Sequence, residues 1–349
     1  MTYRESATSL PAPRRVLIVR LGAMGDIVHA LPVLASVRAT WPAATVDWLV
    51  EPRHRPLLEV VDGLGAAVEI DTRRVLGPGG WIASMARLRA NHYDLVLDVQ
   101  GLIKSAVLAR ATGAPTIVGF DRRHAREGLS SIGYTRCVDP GRAEHVVDWN
   151  LAVAEAAGCT QVRREFPLRV PEARPVVRDW LAHAPPFVLI NPGAAWPNKR
   201  WPAERFGELA SRVARDVGQT AYVLWGPGER ALAEQVCVAS GGAAEPTPET
   251  TLRDIVAVMS RARLVVSGDT GPFHIAAALG VPLVGIFGPT DPRRNGPVSP
   301  LDVSVSRRDQ CECFHLRSCR AATWCLGGIP VDEVYEAVTE RLRLAGSAA

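Results

Sequence analysis

The feature that most restricts the fold is a rhythm of short runs rich in Val, Ile and Leu, at 16–19, 46–50, 95–99, 116–119, 187–190, 221–225, 264–267 and 283–287. Such runs suit strands covered on both faces, because a strand with one wet face would alternate apolar and polar residues. Between them, 27–40, 145–157, 202–217, 229–239 and 272–279 read as helices. Strand and helix alternate, so the expected class is α/β: two Rossmann-like domains, each a parallel sheet flanked by helices. The rhythm breaks once, around 166–186, where FPLRVPEARPVVRDWLAHAPP concentrates prolines and carries one short amphipathic helix. Residues 1–170 are therefore read as one domain, 171–185 as a linker and 186–330 as a second domain, with a last helix over 331–345. A chain of 349 residues, 47% of them hydrophobic, can fill both cores.

Forty basic and thirty-six acidic side chains leave a formal charge of only +4, which does not suggest a nucleic-acid partner. The first fifteen residues lack an apolar stretch, and no run of about eighteen apolar residues occurs. The expectation is a cytoplasmic protein without a transmembrane segment. Of seven cysteines, Cys311, Cys313, Cys319 and Cys325 crowd together as C-x-C-x5-C-x5-C. In a reducing cytosol that crowding reads as metal ligation or a redox pair before a disulfide framework, but the spacing matches no paired C-x2-C zinc template, which puts free buried thiols or an adventitious disulfide ahead of a structural metal.

Three segments carry chemistry. In VLIVRLGAMGDIVHALP a strand passes through Gly22 and Gly25 into a helix opening at Asp26, which is where open α/β sheets place ligands. Asp26 has two readings there, helix cap or catalytic carboxylate. The G-x-G-x-x-G spacing is absent, which disfavours a dinucleotide-dependent oxidoreductase. In NPGAAWPNKRWPAERFGELA, Lys199 and Arg200 lie on a loop after a strand, as a pair that holds a diphosphate or as solvated charges. In LVVSGDTGPFHIAAALG, Asp269, Thr270 and Gly271 precede a helix with Pro272 in its first turn and His274 just inside. Unpaired amides and the helix dipole make such an end an anion site, while a lone His is also commonly structural. Glu229, in WGPGER, is placed either to accept from ribose hydroxyls or simply to favour a helix dipole.

Together with DVQGLIKSA, the downstream AREGLS and GPTDP, these segments resemble glycosyltransferase family 9, the ADP-heptose:lipopolysaccharide heptosyltransferases. The similarity runs from about residue 16 to the last helix and is nearest to the enzymes that add the first heptose to Kdo. It implies the GT-B fold, two Rossmann-like domains whose parallel sheets face a central cleft, with the last helix packing back on the first domain. It implies inverting transfer from an ADP-sugar, with no cofactor or metal required and a lipopolysaccharide-core acceptor met peripherally at the cytoplasmic face of the inner membrane. Asp26 matches the catalytic base, Lys199 the donor-phosphate lysine and Glu229 the acid near the ribose. Asp269, Thr270, Gly271 and His274 match the D-T-G-x-x-H donor motif, with Arg200 beside them. Lys104 and Arg126 match basic positions facing the anionic acceptor.

The chain departs from the family pattern at Gly22 and Ala23, where hydroxylated residues are usual, and at Ala194 and Ala195 in the phosphate loop. Backbone amides would have to replace those hydroxyls. Readings to set beside a heptosyltransferase are a family 9 enzyme with another nucleotide sugar or acceptor, and a catalytically silent nucleotide-sugar-binding protein.

Overall fold

The computed structural model describes residues 12–72, 78–314, 316–319 and 324–346. It divides into two compact units, Met1–Pro167 and Leu168–Ala349.

The first unit runs β1 (Arg15–Val19), α1 (Met24–Thr40), β2 (Thr45–Val50), α2 (Arg55–Leu58), β3 (Ala67–Glu69), α3 (Pro78–Arg89), β4 (Leu95–Asp98), α4 (Ile103–Ala111), β5 (Thr116–Phe120), β6 (Arg136–Val138) and α5 (Val146–Ala156). Its strands form one six-stranded sheet in the order β3-β2-β1-β4-β5-β6, and every pair is parallel. Leu17, Val19, Leu49, Val96 and Ile117 of the central strands bury one face against Leu88, Leu108 and Tyr134. The order reverses between β1 and β4, the position at which open parallel sheets bind ligands beyond their carboxyl ends.

The second unit repeats the plan with α6 (Pro175–His183), β7 (Phe187–Asn191), α7 (Ala203–Arg212), β8 (Thr220–Val223), α8 (Arg230–Ala239), β9 (Ala244–Pro246), α9 (Leu252–Met259), β10 (Leu264–Gly268), α10 (Gly271–Ala278), β11 (Leu283–Phe287), α11 (Pro292–Asn295), β12 (Val303–Ser306) and α12 (Val331–Gly346). The sheet order is β12-β11-β10-β7-β8-β9, again all parallel. Every central strand expected from the apolar runs is present. The edges β3, β6, β9 and β12 were not foreseen, because strands of three or four half-exposed residues have no continuous apolar run; β9 even ends on Pro246.

Two expectations are corrected. The segment 171–185 is not a free linker: α6 belongs to the second unit, with Val177 fully buried and Trp180 against Phe187 and Tyr222. The main chain and side chain of Arg174 also bond the buried carboxylate of Asp254 at 2.9 and 2.6 Å. The last helix was expected on the first domain, yet Val334, Val338 and Leu342 of α12 join the second unit's core with Val284, Ile286 and Phe206. Its amphipathic stripe finds its partner locally, and Arg341 adds a buried ion pair to Asp302 at 2.8 Å.

Candidate active site

In the first unit, β1 delivers Arg20 and Leu21 to a turn whose geometry is set by neighbouring loops. The Leu21 N–H donates to Gln100 Oε1 at 2.9 Å, so the turn after β4 holds the turn after β1. That second turn is organised by fully buried Asp98, whose carboxylate accepts from the N–H groups of Gln100 and Gly101 and from the Tyr134 hydroxyl. Burial pushes the Asp98 carboxyl up from its ordinary value even though these donors oppose the shift. Gly22 admits the ring of His54 so closely that a Cβ there would lie 2.6 Å from it.

Asp26 is the third residue of α1 and not its cap; Ala23 occupies that position. Its Oδ2 accepts from the Ala23 N–H at 3.2 Å and lies 2.9 Å from the guanidinium of Arg20. Arg20 is 8% exposed and also donates to the Val99 carbonyl. The carboxylate is thus held at the carboxyl edge of the sheet by a cation that is itself buried and tethered. Arg20, Gln100 and His54 were absent from the sequence reading; the one available signal was a basic residue ending a strand six positions before Asp26.

Lys104 sits in the first turn of α4 and reaches Glu51 Oε1 at 3.3 Å. The N–H of Glu51 donates to the Leu21 carbonyl at 3.1 Å, which ties Lys104 to the turn before Asp26. Gly101, at φ +67°, lets the backbone of Arg126 approach to 3.2 Å from where a Cβ would sit. Glu127 then donates through its N–H to the Gly101 carbonyl and accepts from the Ile103 N–H at 2.7 Å. Lys104 and Arg126 are therefore brought to one pair of turns on the sheet edge that carries Asp26.

In the second unit the loop after β7 meets the turn after β10. The Lys199 ammonium lies 2.7 Å from Asp269 Oδ2, and Asp269 Oδ1 accepts from His274 Nε2 at 2.9 Å. Burial opposes ionisation of Asp269, but the bond from His274 and the charge of Lys199 hold its carboxyl well below the usual carboxylate range. His274 is buried and acts as the orienting partner of Asp269. Thr270 caps α10 with its backbone, while its hydroxyl lies within reach of Asn191 Nδ2 at 3.1 Å and Ser267 Oγ at 3.2 Å. The Thr270 side chain makes no capping bond to the first turn of α10, and a helix start of this kind suits an anion. Gly268 is where a Cβ would meet the Lys199 carbonyl at 2.9 Å, which lets the two loops touch.

Trp196 stacks beneath Lys199 at 4.7 Å, whereas Trp201 is a core residue that donates to the Ile329 carbonyl. Arg200 donates to the Ala194 carbonyl at 2.9 Å and faces Glu229 at 3.8 Å. The Glu229 carboxylate folds back to accept from the Gly226 N–H and lies directly over Gly193, where a Cβ would be 2.2 Å from Oε2. Lys199, Arg200, Glu229, Asp269, Thr270, Gly271 and His274 thus share one edge of the second sheet. Two cations and a helix N-terminus beside ordered carboxylates suit a diphosphate with a hydroxylated neighbour.

Of the cysteines, Cys311 and Cys313 bring their Sγ atoms to 3.6 Å, and Cys325 packs under Gly288 beside Cys311. Burial pushes the Cys311 and Cys325 thiols up. Among the described residues no three of these sulfurs gather within 4.8 Å; the three-residue grouping of metal-ligand types is instead Asp121, His124 and Asp139. No helix of the described residues is long and apolar enough to cross a membrane.

Two all-parallel six-stranded sheets, each flanked by helices, are the architecture of the GT-B fold. The family model of glycosyltransferase family 9 (heptosyltransferase) matches residues 81–324. The chain is 31% identical to lipopolysaccharide heptosyltransferase 1 of Pseudomonas aeruginosa over 87% of each sequence. It is 30% identical to the enzyme of the same name from Escherichia coli K12, over 80% of this chain and 89% of that one. The chain belongs to glycosyltransferase family 9. The solved structure of E. coli heptosyltransferase WaaC with ADP superposes with a TM-score of 0.72 at 25% identity, over 95% of this chain and 99% of that one. The same enzyme with ADP-2-deoxy-2-fluoro heptose gives 0.73 at 26% identity, over 93% and 99%.

Proposed function

We propose that this glycosyltransferase moves a heptose from ADP-heptose to the Kdo of a lipopolysaccharide inner core, with inversion at the anomeric carbon. The observation that carries the proposal is the Lys199–Asp269–His274 constellation at the start of α10, in a chain similar to an enzyme solved with ADP and with ADP-2-deoxy-2-fluoro heptose. Lys199 and the α10 amides would neutralise charge on the departing diphosphate. Preorganised donors of this kind supply a large share of catalysis, because they need no reorganisation as charge develops. Arg200 supports the same group, and Glu229, pinned over Gly193, would accept from the ribose. Asp26 would take the proton of the acceptor hydroxyl as it attacks, a role typically worth about 10²–10⁴ in rate. Lys104 and Arg126 would meet the acceptor's carboxylates. Cations and a helix terminus already neutralise the diphosphate in this scheme, so it requires no metal. The acceptor is lipid-borne, and the enzyme would act peripherally on the cytoplasmic face of the inner membrane.

The test is mass spectrometry of products formed from a panel of ADP-, UDP- and GDP-sugars with Kdo-lipid acceptors. A heptosylated Kdo product together with ADP release is expected. Transfer from a UDP- or GDP-sugar, or tight donor binding without turnover on any acceptor, would refute the proposal.

A further inference from the structure

The first unit carries a groove of about 800 Å³ between α3, α4 and the turn at Gly128–Gly133. Its floor and lips are apolar and unusually exposed: Ile103 44%, Val107 41%, Leu129 57% and Ile132 81%. Among the described lining residues the only charges are Arg89 and Arg110. Neighbouring apolar side chains that stand this far out of the surface, rimmed by positive charge, mark a contact face.

We infer that this groove docks on an anionic lipid bilayer, taking up acyl chains while Arg89 and Arg110 pair with headgroup phosphates. Charge complementarity selects this occupant: the charges in the described lining are two arginines, which match headgroup phosphates beside apolar side chains that match acyl chains, while the acid at its border, Glu127, is engaged by the Ile103 N–H. Position supports it. Helix α4 presents Ile103 and Val107 to the groove and carries Lys104 one residue from Ile103; the apolar turn begins two residues after Arg126. The surface that would hold the membrane is therefore continuous with the residues proposed to meet the acceptor sugar, and the inference rests on that reading of the acceptor as lipid-borne. Shallow apolar insertion together with two arginines gives reversible adhesion, as suits an enzyme that must visit many acceptors.

The test is co-sedimentation of the full-length protein with phosphatidylcholine vesicles, with and without phosphatidylglycerol, in the absence of nucleotide sugar and acceptor. Binding to the anionic vesicles is expected, and the double variant Leu129→Ser, Ile132→Ser should lose about tenfold or more of it. Both side chains are exposed, so the variant should fold as the parent does, which far-UV circular dichroism and melting will verify. The pair Arg89→Gln, Arg110→Gln should lose roughly fivefold per charge. With a delipidated acceptor sugar, the Leu129, Ile132 variant should transfer at the parental rate. Equal vesicle binding by parent and variants would overturn the inference, as would no binding by the parent. Loss of a dimer on the same substitutions, seen by light scattering, would assign the groove to a second copy instead. Vesicle binding involves no sugar, so a failed donor assignment leaves its outcome unaffected.

Discussion

Lys199 Nζ lies 2.7 Å from Oδ2 of Asp269, and the two side chains are 15% and 5% exposed. Removing either partner strands the other in a site with little water. Asp269→Asn should cost roughly 3–5 kcal/mol of stability, as breaking a buried pair does, and should weaken donor binding in isothermal titration. Lys199→Met, which removes the cation, should lower turnover more than Arg200→Met, since Arg200 is tethered to a carbonyl and lies farther from its carboxylate partner.

The same pair predicts a pH dependence. The Asp269 carboxyl titrates lower in the folded protein than its unfolded value of about 4. A depressed folded value contributes stability above the unfolded one and loses it as pH falls through the interval between them. Urea midpoints of the parent and Asp269→Asn should thus differ most above pH about 5 and converge progressively below pH about 4. A constant gap through acid would show that the ion pair is not the source.

For Asp26, we expect Asp26→Asn to lower kcat by about 10²–10⁴ while the donor Kd changes little, because the carboxylate lies in the first unit and the residues proposed to hold the donor in the second. Arg20→Met should act through Asp26, reducing kcat and shifting the pH profile of the reaction. Full activity in Asp26→Asn would end the general-base assignment.

Gly193→Ala places a Cβ 2.2 Å from the Glu229 carboxylate, which must move. Its expected signature is a raised KM for the nucleotide sugar, about tenfold or less, with the fold intact; the larger part of the effect should vanish in Glu229→Ala, where the collision is absent. Steady-state kinetics of the two single variants and the double variant checks this.

Arg341→Met leaves Asp302 buried without its cation and should destabilise the second unit by about 3–5 kcal/mol. Calorimetry should show the transition that includes α12 lowered in temperature.

Central strands, the helices after them and the motif loops were legible in the sequence, because each depends on neighbours within a few residues: apolar runs, glycines at turns and prolines at helix starts. Asp26, Lys199, Glu229 and the Asp269, Thr270, Gly271 and His274 block were singled out by contiguous motifs that resemble those of the family, and the roles proposed for them rest on that resemblance. Roles that depend on a distant partner were not. Gln100 looks like any polar turn residue until its amide oxygen is found on Leu21. His54 gains meaning only over Gly22. Trp201, which flanks the phosphate loop in sequence, proves to be core.

By itself, the sequence determined the α/β class and the duplication of the sheet, since these follow from local periodicity and local turn geometry, while its motifs carried the resemblance to the family. Only the tertiary structure decided that α12 and the 171–185 segment belong to the second core, that Arg20 grips Asp26, and that Lys199 meets His274 through Asp269. Those decisions join residues tens of positions apart, and an amphipathic stripe or a lone charge does not specify which of several complementary surfaces will bury it.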